Sequence, residues 1–387
     1  MTSRDMQSET GNKPTGKIRL CIVMGGHWSV QMGGAQYQVQ CILEELAKHP
    51  EFETYFLANV VPEQRDQGSY QIVRVGMRRL SPRFRMLPNL PSLYRALKRL
   101  RPDVVYQREL MPFTGACGMY CERHGARFVF HMAHDNDARH AHFKGWSPGT
   151  MRRRLERRIA EYGMKRADAI IAQTKDQAAL LKAEYGLQAA AIVRNFHPVP
   201  DDDSPRRSAD KLRVIWVANF KEWKHPELFV ALAEALRDRS DVEFVMIGRP
   251  GTKAFAELHE RMERLENLRY LGELHIDRVN EEISASHLFV NTSSSEGFAN
   301  TFIQAWLRSV PVISCFVDPD ECLSKGGAGL VAGSLEGLIA AVTDLADHRD
   351  KLERLAASAR AYGYANHRPE QATALLDLLA GKPLQPG

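Results

Sequence analysis

The chain has 387 residues, 44% of them hydrophobic and 26% charged, which is long enough for two globular cores and too apolar for a disordered protein. No apolar run approaches the roughly 20 residues needed to cross a bilayer, so a transmembrane helix is excluded. The net charge of +5 conceals an asymmetry: residues 1–200 carry 30 Lys and Arg against 18 Asp and Glu, and the remainder carry 22 against 29. The basic residues concentrate in 74–101 and 152–166. Such a half attracts nucleic acid, anionic membrane or acidic substrates, unless it is simply a solvated surface. Neither finger spacing nor an aromatic-rich basic sheet motif is present, so nucleic acid is set aside. Peripheral contact of the N-terminal half with an anionic membrane stays as an expectation.

The first 16 residues are polar, lack the apolar core of a leader peptide, and read as a disordered tail. Residues 17–24 form an apolar run, read as a strand, that ends in Gly25-Gly26. Gly33 and Gly34 then precede an amphipathic helix over 35–48. Strands are expected at 52–59, 70–75, 104–107, 127–132, 169–173 and 191–193. Helices are expected at 90–100, 113–124, 150–165 and 175–185. Alternating elements of this length imply a parallel sheet covered on both faces.

Three prolines and three acids between 198 and 205 break the pattern and read as a linker over 198–211. Beyond it strands are expected at 213–217, 243–247, 268–271, 288–291 and 312–315. Helices are expected at 226–237, 254–265, 279–285, 300–307, 335–345, 349–362 and 369–379. The fold class is therefore α/β, with two doubly wound, Rossmann-like domains, 17–197 and 212–365, facing across a cleft between their strand ends. Neither first βα turn carries a G-x-G-x-x-G pattern, which speaks against a nicotinamide oxidoreductase. The six cysteines include no Cys-x-x-Cys pair and several lie in apolar runs, as in a reduced, cytoplasmic protein with buried thiols.

The most informative stretch is 293–306. A small-residue turn carries Glu296, followed by Gly297, Phe298, Ala299, a helix-start signal at Asn300 and Thr301, and an apolar helix containing Gln304. Free backbone N–H groups at such a helix start suit an anion, and the adjacent carboxylate suits hydroxyls. A nucleotide sugar offers both. This segment resembles the Glu-x7-Glu signature of the family 4 glycosyltransferases, which are retaining enzymes of the GT-B fold, with the second acid replaced by Gln304. The resemblance extends from residue 17 over nearly the whole chain. It implies that 366–387 form a helix crossing back to the first domain. It also implies that Glu296 meets donor-sugar hydroxyls and that Gln304 meets the ribose without the charge-assisted contact of a carboxylate.

Other elements extend the resemblance. Gly33 and Gly34 allow close approach of a diphosphate or acceptor to the backbone. Lys224 occupies the lysine position after the first strand of the second domain, and Asn219 stands where the family has arginine. Lys221 is a second candidate cation, and Arg249 shares the sheet edge. His134-Asp135 corresponds to the family's histidine near the reacting carbon, where a plain loop histidine is the alternative. Arg194-Asn195 resembles the hinge element. His140 and His142 raise a metal site, but their flanks lack the spacing of a zinc site. Asp201 to Asp203 read as solvated linker charge.

The resemblance implies transfer of a sugar from a nucleotide diphosphate sugar, UDP rather than GDP, to a sugar or lipid-linked acceptor hydroxyl. It implies no metal and no cofactor, with Lys224 and backbone amides holding the leaving diphosphate. A sugar-nucleotide epimerase or hydrolase, and a non-catalytic nucleotide-sugar-binding subunit, are the rival readings.

Overall fold

The computed structural model describes residues 16–30, 32–63, 68–76, 86–141, 143–200, 207, 210–251 and 256–382. All but the last residue of the expected tail over 1–16, most of the linker, Asp201 to Asp203 and His142 lie outside these residues.

Two parallel sheets organise the chain. The first has the order β3-β2-β1-β4-β5-β6-β7, with β1 (Ile18–Gly26), β2 (Phe52–Val60), β3 (Gln71–Arg74), β4 (Val104–Arg108), β5 (Arg127–His131), β6 (Ala169–Ala172) and β7 (Ala191–Ile192). Its register pairs Ile22 with Phe56 on one side and with Tyr106 on the other. Near-continuous apolar strands buried on both faces are what a helix-covered parallel sheet requires. One face packs with α1 (Gly34–Leu46), and the other with α2 (Met86–Leu100), α3 (Pro112–His124), α4 (Pro148–Met164) and α5 (Lys175–Tyr185). The α3–α4 crossing is close because a Cβ on Gly163 would lie 1.9 Å from the Thr114 carbonyl oxygen.

The second sheet has the order β10-β9-β8-β11-β12-β13. Its strands are β8 (Leu212–Val217), β9 (Val242–Ile247), β10 (Leu268–Tyr270), β11 (Leu288–Asn291), β12 (Val312–Ser314) and β13 (Gly329–Val331). The helices are α6 (Pro226–Ala235), α7 (Ala256–Glu263), α8 (Ile276–Ser284), α9 (Asn300–Trp306), α10 (Leu335–Asp347) and α11 (Arg349–Asn366). The short edge strand β13 has no counterpart among the expected elements. The last helix, α12 (Thr373–Leu379), buries Leu375, Leu378 and Leu379 in the core of the first domain. Where one continuous helix was expected over 369–379, a 3₁₀ turn (Pro369–Ala372) precedes α12.

Each sheet reverses its strand order beside its first strand, between β1 and β4 and between β8 and β11. Such switch points open a crevice beyond the carboxyl ends of the strands. Every candidate residue outside α9 follows one of those ends. All six cysteines are buried and unpaired. Among the described residues no helix is long and apolar enough to cross a membrane.

Candidate active site

The second domain contributes a lysine held on a tight turn. After β8 the chain makes a 3₁₀ turn, Glu222–Lys224, and His225 adopts a left-handed backbone, φ 45°, before Pro226 opens α6. Trp216 Nε1 donates to Thr292 Oγ1 at 2.9 Å, and that hydroxyl donates to the Lys224 carbonyl at 2.6 Å. The Ser294 N–H donates to the Trp223 carbonyl at 2.9 Å. The loops after β8 and β11 are thereby bound together, and Lys224 forms an ion pair with Glu296. Both side chains are mostly buried, at 20% and 11% exposure, where an ion pair is less screened than on an open surface.

Lys221 lies 4.8 Å over the Trp223 ring. Partial desolvation, then the neighbouring Lys224 cation, holds its ammonium below the ordinary lysine range. Asn219 does not reach toward the lysines: its Oδ1 accepts the Arg249 N–H at 3.3 Å, which braces the β8 and β9 loops. Gly248 completes that brace, because a Cβ there would lie 1.8 Å from the Ala218 carbonyl oxygen. The Arg249 side chain is exposed and stands 3.9 Å from Glu273.

The first domain meets this edge directly. A Cβ on Gly297 would lie 2.9 Å from the Ala133 carbonyl oxygen and 3.0 Å from the His134 Cα, so Glu296-Gly297 abuts the loop after β5. The His134 Nδ1 accepts the Asn136 N–H at 3.1 Å, which leaves Nε2 as the donor of the neutral ring. The loop is fixed by Asp137, whose carboxylate accepts N–H groups from Ala133, His134 and Leu110. Asp135 accepts from Gln177 Nε2 at 3.1 Å. His131 is turned into the sheet, where Arg108 Nη1 donates to its Nδ1 at 3.1 Å and burial pushes its pKa well down. Of the two histidines, His134 is the one beside the cleft.

Asn300 starts α9, as the sequence suggests, but its side chain serves the first domain. As the first residue of α9 it does not cap the helix: Ala299 precedes it, without a side-chain cap. Its side chain crosses to the first domain instead. Nδ2 donates to the Gly34 carbonyl at 2.9 Å, and Oδ1 accepts from Gln38 Nε2 at 3.1 Å and Asn195 Nδ2 at 2.9 Å. Asn195 also donates to the Phe298 carbonyl and accepts from Arg108. Gly33, Gly34 and the start of α9, with Phe298 and Ala299 nearly buried and Thr301 partly so, therefore form one wall. Gln304 is 3% exposed and donates to Asn280 Oδ1 at 2.8 Å, so only its Oε1 is left to accept from another group.

Sequence reasoning missed Arg108 and Glu109. Both sit at the carboxyl end of β4, and a charged pair closing an apolar strand was the signal available. Arg108 is 1% exposed and joins His131 to Asn195. Glu109 holds a left-handed backbone, φ 72°, fixed by its N–H to the His131 carbonyl and by Gln107 Nε2 to its own carbonyl. Burial, then the Asp137 carboxylate, raises its pKa to about 7 against the opposing cations Lys221 and Arg108. The charge of Lys221 in the second domain is thus felt by a carboxyl group of the first. His140 lies outside the cleft, packed on Tyr185 at 4.1 Å and 3.8 Å from Glu161. Among the described residues no cluster suited to a metal ion is present.

Comparisons with known families agree with this geometry. The model for Glycosyl transferases group 1 matches residues 211–348, and that for Glycosyltransferase Family 4 matches 32–201. The chain belongs to glycosyltransferase family 4. Its fold is GT-B, as in three similar solved structures. Anabaena Alr3699/HepE, solved with UDP and glucose, has a TM-score of 0.70 at 14% identity over 94% of this chain and 100% of that one. Sucrose-phosphate synthase from Thermosynechococcus elongatus has a TM-score of 0.72 at 15% identity over 94% and 98%. WaaG, a glycosyltransferase involved in lipopolysaccharide biosynthesis, has a TM-score of 0.70 at 16% identity over 94% and 100%. No curated protein matches this family 4 glycosyltransferase in sequence.

Proposed function

We propose that this glycosyltransferase moves a sugar from a UDP-sugar to an acceptor hydroxyl with retention of configuration, in polysaccharide or glycolipid assembly. The observation that carries the proposal is the junction of Lys224, Glu296 and the His134 loop through Gly297. A cation, a carboxylate and a neutral histidine donor converge where the two domains meet.

In this reading Lys224 and the amides at Phe298, Ala299, Asn300 and Thr301 receive the diphosphate as the sugar–oxygen bond breaks and charge builds on the leaving oxygen. Lys221 adds positive charge beside it, and Arg249 lies at the outer rim. Glu296 accepts hydrogen bonds from donor-sugar hydroxyls, and the Gln304 Oε1 accepts one from the ribose. His134 lines the acceptor side of the reacting carbon. The departing phosphate oxygen takes the acceptor proton, so no protein base is needed. Lysine and backbone dipoles take the place of a metal. Asn219 acts as a brace for the Lys224 turn rather than as a phosphate ligand. HepE has been solved with UDP and with UDP-glucose, which supports uridine as the base. The basic first domain faces the acceptor and would meet an anionic membrane surface from the cytoplasmic side.

Thermal-shift screening against UDP- and GDP-sugars tests the donor assignment. A UDP-sugar at a hundred times its dissociation constant stabilises the fold by about 2.7 kcal/mol. Stabilisation by GDP-sugars alone contradicts the uridine assignment.

A further inference from the structure

The outer face of α4 combines apolar and basic side chains along one exposed stripe. Met151, Leu155, Arg158, Tyr162 and Lys165 are all exposed and recur at helical spacing along one stripe. Met151 is 46% exposed, Leu155 51% and Tyr162 37%. The opposite side is buried: Ala160, Gly163 and Met164 face the sheet and α3. Just before the helix, Trp146 is 78% exposed, and Arg154 stacks over its ring at 4.8 Å while donating to the Phe143 carbonyl at 2.7 Å. The aromatic side chain is thus tied to the basic helix. Beside it Lys144, Arg154 and Arg158 line a recess of about 400 Å³. Between 144 and 166 the chain carries eight basic residues against two acidic ones.

We infer that the Trp146 loop and the outer face of α4 dock this enzyme on an anionic lipid surface. Basic side chains flanking an apolar stripe on a helix that lies along the surface are the arrangement an interfacial helix uses: the apolar residues enter the acyl boundary while the cations meet headgroup phosphates. The long arginine stems keep their charge at the headgroup level as the apolar residues enter. Two other occupants fit less well. A second copy of the chain would set two basic faces against each other. A nucleic acid would satisfy the arginines, but Trp146 and Tyr162 each already carry an arginine over one ring face, and Met151 and Leu155 give bases nothing to stack on.

The inference rests on the first domain being the acceptor side and gives that side its membrane. It is tested by co-sedimentation of the full chain with vesicles of phosphatidylcholine alone and of phosphatidylcholine mixed with phosphatidylglycerol. Binding to the anionic vesicles is expected, with a blue shift of tryptophan emission that Trp146→Phe removes. Arg154→Glu together with Arg158→Glu should lower the bound fraction by roughly tenfold or more, and Leu155→Asp should lower it as well. UDP binding by calorimetry stays unchanged in these variants, so a failure of docking is distinguishable from a failure of the donor-site assignment. Equal binding to both vesicle types, or none, overturns the inference. Binding that a single-stranded RNA oligomer displaces, and that Leu155→Asp leaves intact, identifies a polyanion site and overturns it too.

Discussion

Asn300 of the second domain donates its side-chain amide to the backbone carbonyl of Gly34 in the first, 266 residues away. The same amide accepts from Gln38 and Asn195. The helix start that would hold the diphosphate is therefore fixed to the glycine loop of the opposite domain. Asn300→Ala removes these three bonds between the domains, while Gln38 and Asn195 keep their bonds to the Phe196 and Phe298 carbonyls, at a cost of about 1–3 kcal/mol. Chemical denaturation checks this, and a change below about 0.5 kcal/mol would show that the bridge does not matter to the fold.

Glu109 gives the pH dependence a definite sign. Its pKa rises from near 4.5 to about 7 in the folded protein because burial and Asp137 disfavour the charged form. The folded state then holds a proton that the unfolded state has released. Its contribution is full below about pH 4.5 and is lost as the pH rises toward about 7. Stability measured at about pH 5.5 and about pH 8 should fall across that interval in the wild type, and fall less in Glu109→Gln. Identical losses in both proteins would remove Glu109 as the cause.

Much of this was legible in the sequence. Apolar runs such as those at β1 and β11 give the strands, and the prolines and acids after Pro198 give the domain break. The edge strand β13 is not legible, since Gly329–Val331 is three residues long and follows a glycine-rich turn without alternation. α2 starts at Met86, four residues before the expected 90, and carries Pro91 inside it. Lys224 and Glu296 could each be placed by their motifs. Their ion pair joins loops 72 residues apart and appears only in three dimensions. Asn300 reads as a helix start, but its side-chain partners, from two segments of the first domain, appear only in three dimensions. Arg108 and Glu109 gain meaning only from Asn195, Asp137 and Lys221, none of them near in sequence.

Gln304 stands where the family signature has its second glutamate. It donates to Asn280 Oδ1, so Gln304→Glu requires the Asn280 amide to turn and offer its NH2 group. With that rotation UDP affinity is kept or tightened, because a carboxylate accepts a ribose hydroxyl more strongly than an amide does. Calorimetry with UDP checks this, and a large loss of affinity assigns Gln304 a different role.

In the proposed mechanism lysine and backbone amides take the charge of the leaving diphosphate, and no metal is needed. Turnover of the donor selected by thermal shift should be unchanged by EDTA. A rate that collapses with EDTA and returns with magnesium or manganese would require a metal in the mechanism.

The most direct test of the donor cleft is Lys224→Ala assayed with that same UDP-sugar. The turn that carries Lys224 is held by Trp216 and Thr292 through its backbone carbonyl, so the variant should keep its fold, with some loss of stability from the unpaired Glu296 carboxylate. The expected result is a fall in kcat of about 100-fold or more, as for loss of a group that stabilises developing charge. Near-normal turnover in the folded variant would contradict the assignment of the Lys224–Glu296 edge as the donor site.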